Sequence, residues 1–286
     1  MPEVIVFDKA GDFLKETLDL LLEHEAENNL ILGLAMQIYK NPGKWEIPPF
    51  FAVVKEDQKC ILAALMTPPR SMILTAFIQE SAPALSFLTD TLWQMGVSVS
   101  GVNAEKRLAN QFAHLWSHRA SFLPKLQMNE RVYRLDKVLP LPGVQGTMRL
   151  AGVEESELLI QWGCAFHREG LGKADDEGMR KIIQKKIGDG ELFLWCVDGK
   201  AFAMAAKTRE TVHGVVVSLV YTPPENRGKG YATQLVGELS QLMLASGHSF
   251  CALFTDLANP TSNSIYQKIG YYPVGDMDEY VFLPMV

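Results

Sequence analysis

Along residues 215–245 the hydrophobic pattern changes period. Val215 to Tyr221, VVVSLVY, is a β-branched run, and a Pro-Pro break and a glycine-rich turn follow it. Leu235, Val236, Leu239, Leu242 and Met243 then recur at i, i+1, i+4, i+7 and i+8, with Gly247 as a stop. This predicts a strand, a loop and an amphipathic helix over Tyr231 to Ala245. Upstream in the second half, the pattern predicts a strand at Thr147 to Leu150, helices near Glu154 to His167 and Asp176 to Ile187, and strands at Leu192 to Val197 and Ala201 to Thr208. Downstream it predicts a strand at Phe250 to Phe254, a short helix from Pro260, and strands near Tyr271 to Val274 and Glu279 to Leu283. The first half reads similarly: one helix over Asp12 to Leu34, two strands within Pro49 to Met66 and a strand at Met72 to Ile78. A helix at Ala82 to Met95, a strand at Val97 to Val102, a helix at Lys106 to Arg119 and a final strand at Arg131 to Val138 complete it.

The clearest interruption is Leu139 to Gly146, LPLPGVQG, with two prolines and two glycines. It divides the chain into an N-terminal domain, 1–138, a linker, 139–146, and a C-terminal domain, 147–286. The two halves share an element order without a residue-level repeat, so a duplicated fold rests on that order. With 286 residues, 48% hydrophobic and 21% charged, each half can bury a core. The net charge of -6 leaves no basic footprint for a nucleic-acid backbone. Cys60, Cys164, Cys196 and Cys251 form no CxxC pair, which argues against a structural zinc site or a disulfide framework. No membrane span or basic-then-apolar leader is evident, and a cytoplasmic protein with no membrane partner is expected.

The loop before the Tyr231 helix carries the most chemical information. Arg227, Gly228, Gly230 and Ala232 place small residues and closely spaced amides at the positive end of a helix, where a phosphate or pyrophosphate is favoured. Neither GxxxxGK[ST] nor GxGxxG fits, which disfavours nucleotide hydrolysis and dinucleotide binding. A tight glycine turn with no ligand is the competing reading. Further on, Asn259 can cap a helix with Pro260 at its first position, and Gly270 can end it. Tyr266 lies two turns after Asn259 on the same face, where it could meet a shared ligand or simply fill the core.

Arg227-Gly-Lys-Gly-Tyr-Ala232 resembles the [QR]xxGx[GA] acyl-coenzyme A loop of the GCN5-related N-acetyltransferase (GNAT) superfamily. The Asn259 to Tyr271 segment is similar to that family's Asn, short helix, Tyr and Gly-aromatic run. The resemblance covers about 50 residues and extends to two-domain bacterial members with the catalytic domain C-terminal. It implies a mixed, mostly antiparallel twisted sheet flanked by helices in the C-terminal half, with a degenerate α/β version in the N-terminal half. It further implies acetyl-coenzyme A as donor and no metal. The backbone of Val220, Tyr221 and Thr222 would pair with the pantetheine arm. The amides of Arg227, Gly228, Lys229, Gly230, Tyr231 and Ala232 would cradle the pyrophosphate, with Asn259 nearby. Tyr266 would be the general acid for the departing thiolate. The acceptor would be the primary amine of a small molecule or peptide.

Many members carry a Glu on the strand before the loop, and Ser218 stands here. Asp256, Glu169 and His213 are alternative bases, each also readable as an ordinary surface or turn residue. Asp175, Asp176 and Glu177, with Asp276, Asp278 and Glu279, are candidate cation attractors or plain surface charge. The first half has no comparable anion loop, because the helix starting near Ala82 lacks a glycine pair, and it is expected to be noncatalytic. The sequence leaves two functions open: an N-acetyltransferase, or a coenzyme A-binding regulatory or scaffolding protein without turnover.

Overall fold

The computed structural model describes residues 2–172 and 175–284. Its elements run β1 (Glu3–Phe7), α1 (Ala10–Glu23), α2 (Asn29–Lys40), β2 (Phe50–Glu56), β3 (Lys59–Met66), β4 (Met72–Ala76), α3 (Ala82–Gln94), β5 (Gly101–Glu105), α4 (Lys106–Ala120) and β6 (Phe122–Leu135). They continue β7 (Thr147–Leu150), α5 (Ser156–Leu171), α6 (Asp176–Gly188), β8 (Leu192–Val197), β9 (Lys200–Glu210), β10 (Gly214–Tyr221), α7 (Tyr231–Ala245), β11 (Phe250–Asp256), α8 (Pro260–Ile269) and β12 (Tyr272–Pro284). The second ten elements repeat the order of the first ten, so the duplication expected from element order is present in the fold.

Five expectations are corrected. The helix over 12–34 is two helices, because Asn28 Nδ2 donates to Leu21 O at 3.1 Å and Asn29 Nδ2 to Ala26 O at 2.6 Å, turning the chain between apolar segments. The edge strand β1 was not anticipated. β5 begins at Gly101, because Val97 N still donates to Leu92 O at the end of α3. The two strands expected near the C-terminus are the single strand β12, and β6 starts nine residues before Arg131.

Described residues fall into two compact units, 2–132 with 275–284, and 133–274. In the first, strands run β1-β2-β3-β4-β5-β12. Alternation along β2 and β3 feeds two cores: Ala52, Val54, Leu62 and Ala64 pack with α3 and α4, while Phe51, Val53, Ala63 and Leu65 pack with α1 and α2. The last strand is supplied by the far end of the chain, with Met277 opposite Glu105 and Val281 opposite Gly101.

The second unit has the order β6-β11-β10-β9-β8-β7, β6 contributing residues 133–135. Phe193, Trp195, Ala203 and Ala205 face α7 and α8, and Leu192, Leu194, Met204 and Ala206 face α5 and α6. Covered on both faces, the strands read as nearly unbroken apolar runs. Pairing is antiparallel throughout β7, β8, β9 and β10 and parallel between β10 and β11. The Pro-Gly stretch 139–146 lies in this unit and packs on it. Leu139 N donates to Ile269 O at 2.8 Å, and Trp195 Nε1 donates to Gln145 O at 3.1 Å. Leu141 packs against the α7 and α8 core. Burial pushes the Cys251 thiol up to about 12 and the Cys60 thiol up to about 11, so both stay protonated.

Candidate acyl-donor site

In the second unit β10 and β11 pair in parallel through Gly214 with Phe250, Val215 with Cys251 and Val216 with Ala252, and no further. Yet β10 runs on to Tyr221 and β11 to Asp256. On its other side β10 carries an irregularity: Ser218 opposes Ala206 but Tyr221 opposes Met204, with Leu219 at φ +50° between them. A bulge of this kind bends its strand and re-aims the backbone. The result is a gap between two parallel neighbours, with the β11-facing edge of residues 217–221 lacking a strand partner among the described residues. Val220, Tyr221 and Thr222 lie at its open end, and Thr222 Oγ1 is buried there without a hydrogen-bond partner among the described residues.

After Thr222, Pro223 and Pro224 turn the chain, and Arg227 N donates to Pro224 O at 3.2 Å. Gly228 and Gly230 follow at φ +78° and +83°, values that strain any residue with a Cβ. Gly230 is the N-cap of α7 and has no side chain to cap it, so the first-turn amides lack the usual capping acceptor. Space at the loop is uneven: a Cβ at Gly228 would meet nothing within 4 Å, whereas one at Gly230 would lie 3.0 Å from Val144 Cγ2. Tyr231 anchors the helix start, its ring 5.1 Å from that of Phe202, and Ala232 is half-buried beside it. Lys229 Nζ donates to Glu225 O at 3.3 Å.

Arg227 is turned toward the end of β10. Its Nε donates to Thr222 O at 2.9 Å, and its Nη2 donates to Glu169 Oε1 and Oε2 at 3.0 and 2.8 Å. The guanidinium carbon lies 5.6 Å from the Tyr221 ring centre. Tyr221 O–H also donates to Glu169 Oε1, at 3.1 Å. Burial first, then the Glu169 charge, raises the Tyr221 pKa, keeping it a donor.

Tyr266 is 7% exposed on α8. Its ring lies 6.0 Å from Tyr271, edge to face, and 6.4 Å from Tyr133. Its hydroxyl carries no hydrogen bond among the described residues, and desolvation alone holds its pKa well above the usual tyrosine value. Tyr266 is therefore a fully protonated phenol. Asn259 is exposed and caps α8, Oδ1 accepting from Ser262 N at 3.1 Å. Two further residues join this face. Tyr133 O–H donates to Asn263 Oδ1 at 3.1 Å and accepts from Gln267 Nε2 at 3.3 Å. Asn263 is legible in hindsight as one turn before Tyr266; Tyr133, in a distant strand, is not.

The base candidates separate. Asp256 accepts from Ala258 N at 2.8 Å and shapes the turn after β11. His213 precedes the first residue of β10, about 26 Å from Tyr221 at strand rise. Glu169 contacts the gap residue Tyr221, accepting from its O–H at 3.1 Å. Among the other acids, Asp175 caps α6 by accepting from Gly178 N at 2.9 Å, and Glu177 pairs with Lys181. In the first unit, Asp276 is bound by Arg131 at 2.7 and 2.9 Å, Asp278 accepts from Asn129, and Glu279 Oε1 accepts from Ser71 O–H at 2.9 Å. The Arg131 guanidinium holds the Asp276 carboxyl below the usual aspartate range.

The FR47-like protein family matches residues 194–281. A GNAT-family acetyltransferase from Colwellia psychrerythraea is similar at 13% identity and TM-score 0.58, covering 98% of this chain and 99% of that one. A GCN5-related N-acetyltransferase from Sphaerobacter thermophilus is similar at 14% identity and TM-score 0.64, covering 97% and 94%. A tandem GNAT protein from the clavulanic acid biosynthesis pathway is similar at 11% identity and TM-score 0.54, covering 99% and 97%. Among curated proteins, none matches the chain by sequence. The chain has the GNAT-superfamily fold, with a divergent N-terminal domain. No helix among the described residues is long and apolar enough to cross a membrane.

Proposed function

We propose that the second unit binds acetyl-coenzyme A and transfers its acetyl group to a primary amine. The observation that carries this reading is the gap opened past Val216 and Ala252, with the uncapped glycine start of α7 following the β10 end. The backbone of Val220, Tyr221 and Thr222 offers hydrogen-bonding groups to an extended amide-rich arm, as an added strand would. The open glycine cradle of residues 227–232 suits a diphosphate, since amides and helix dipole both favour negative charge. The amine nitrogen attacks the thioester carbonyl carbon, the carbon–sulfur bond breaks, and the nitrogen gives up a proton to water, from which Tyr266 is afterwards reprotonated. Tyr266 O–H gives its proton to the departing thiolate, for which a protonated hydroxyl with no protein acceptor is suited.

The functional division belongs to the same proposal: donor chemistry in 147–286 and none in 1–138. It is supported by the first unit's counterparts. Between β4 and α3 no glycine occurs, and the residue seven after the α4 cap Glu105 is Phe112, where α8 has Tyr266 seven after Asn259. A cytoplasmic location and a small-molecule or peptide acceptor are likewise proposed.

A second reading, coenzyme A binding without turnover, is favoured by one observation: Ser218 occupies β10 where a carboxylate base would serve, and Asp256 is engaged in a turn. Acetyl-coenzyme A is incubated with a panel of primary amines and thiol release is followed. Release with at least one amine supports transfer; saturable binding with no release by any amine supports the second reading.

A further inference from the structure

We propose that Glu169 receives two cations in turn: the Arg227 guanidinium in the free protein, and the acceptor's ammonium group once a bound diphosphate has drawn Arg227 away. This rests on the donor-site reading above. Arg227 stands at the head of the glycine loop, yet its Nε and Nη2 donors go to Thr222 O and to both oxygens of Glu169. The two side chains are 46% and 49% exposed, so their attraction is weakened by water and readily exchanged. A diphosphate carries more charge than a carboxylate and presents oxygens that match a guanidinium fork.

What stays behind is an oriented carboxylate. Tyr221 O–H donates to Glu169 Oε1 independently of Arg227, and its ring is held 6.4 Å from Trp162 in the α5 and α6 core. With the guanidinium gone, Glu169 carries an uncompensated charge next to a gap residue, the setting in which a carboxylate captures an ammonium ion and can accept its proton. Thr222, whose carbonyl shares Arg227 with Glu169, has a buried hydroxyl with no partner among the described residues at the same place. The acceptor class is therefore a cationic primary amine, and donor binding precedes amine binding. Linkage makes the coupling reciprocal: the amine also tightens the donor complex.

The test is calorimetric titration of coenzyme A into the wild type and Glu169→Gln, with melting curves confirming equal folding. Removing the competitor for Arg227 should tighten coenzyme A about two- to five-fold, the range expected for an exposed ion pair. The KM of the amine that the wild type acetylates fastest should rise about tenfold or more in the same variant, since a charged contact to the acceptor is lost. A Glu169 that merely braced the loop would give the opposite sign, weaker coenzyme A binding. Unchanged or weaker binding in Glu169→Gln overturns the exchange, and so does tighter binding with an unchanged amine KM. A wild type that shows no saturable coenzyme A binding overturns the donor-site reading itself, and the exchange with it.

Discussion

Val216 and Ala252 are the last partners of the parallel pair between β10 and β11; beyond them each strand continues without the other. The gap has a rigid base. Below it Gly214 faces Phe250, whose ring crosses the position a Cβ would take and is itself covered by the Arg134 guanidinium at 4.3 Å. Gly214→Val therefore forces the ring out of place, a cost of about 1–3 kcal/mol for overpacking. A lowered melting temperature checks this; an unchanged one would show that the gap's base yields freely.

Gly230→Asp places a side chain and a negative charge in a backbone conformation suited to glycine, against Val144 and at the proposed diphosphate cradle. The variant is expected to lose the rise in melting temperature that acetyl-coenzyme A gives the wild type. Because strain alone lowers the starting stability, the quantity to compare is the ligand-induced shift, not the absolute temperature.

Tyr266→Phe keeps the ring between Tyr133 and Tyr271 and removes a hydroxyl with no protein partner among the described residues. Stability and donor affinity should barely move. Single-turnover acetyl transfer should fall by about 10²-fold, the lower end of general acid catalysis. A normal rate with lowered stability would make Tyr266 a core residue.

How much of this was legible in the sequence depends on the range of the interaction involved. The α7 helix is found at Tyr231–Ala245, as its apolar stripe and glycine punctuation predict, because both signals are local. The division between α1 and α2 escaped because the polar run from Glu23 to Asn29 also reads as the exposed face of one continuous helix, and the Asn28 and Asn29 side-chain hydrogen bonds that turn the chain there leave no periodic signal. β6 escaped in part because residues 122–130 are exposed or only partly buried and give no apolar alternation. The placement of β12 beside β5 is a pairing across some 170 residues, and no periodicity reports it. In the site, Gly228, Gly230 and Tyr266 were readable from spacing. The Arg227–Glu169–Tyr221 cluster was not, since it needs the end of α5 brought to the end of β10.

Glu155 gives the second unit an acid-sensitive contact. It accepts two hydrogen bonds from Arg149, at 2.6 and 2.9 Å, and one from Gly152 N at 2.9 Å, which together hold its pKa below the ordinary 4.5. A depressed carboxylate contributes stability above its unfolded value and loses it as pH falls through the folded one. Melting temperature should thus drop from pH 5 toward pH 3, and Glu155→Gln should flatten that drop while lowering stability at pH 7. Parallel pH profiles for the two proteins would contradict the assignment.

Phe112 in place of a tyrosine, and the absence of glycine between β4 and α3, predict a stoichiometry of one coenzyme A per chain if the proposed donor site is correct. Calorimetry on the full chain checks this. Two sites of comparable affinity would place donor binding in the first unit as well.

The structure of the complex with acetyl-coenzyme A tests the central claim most directly. The account predicts the diphosphate against the amides of residues 228–232, the pantetheine arm along Val220 to Thr222 inside the gap, and the thioester sulfur within hydrogen-bond reach of the Tyr266 hydroxyl. Donor density elsewhere, with the gap between β10 and β11 left empty, would contradict it.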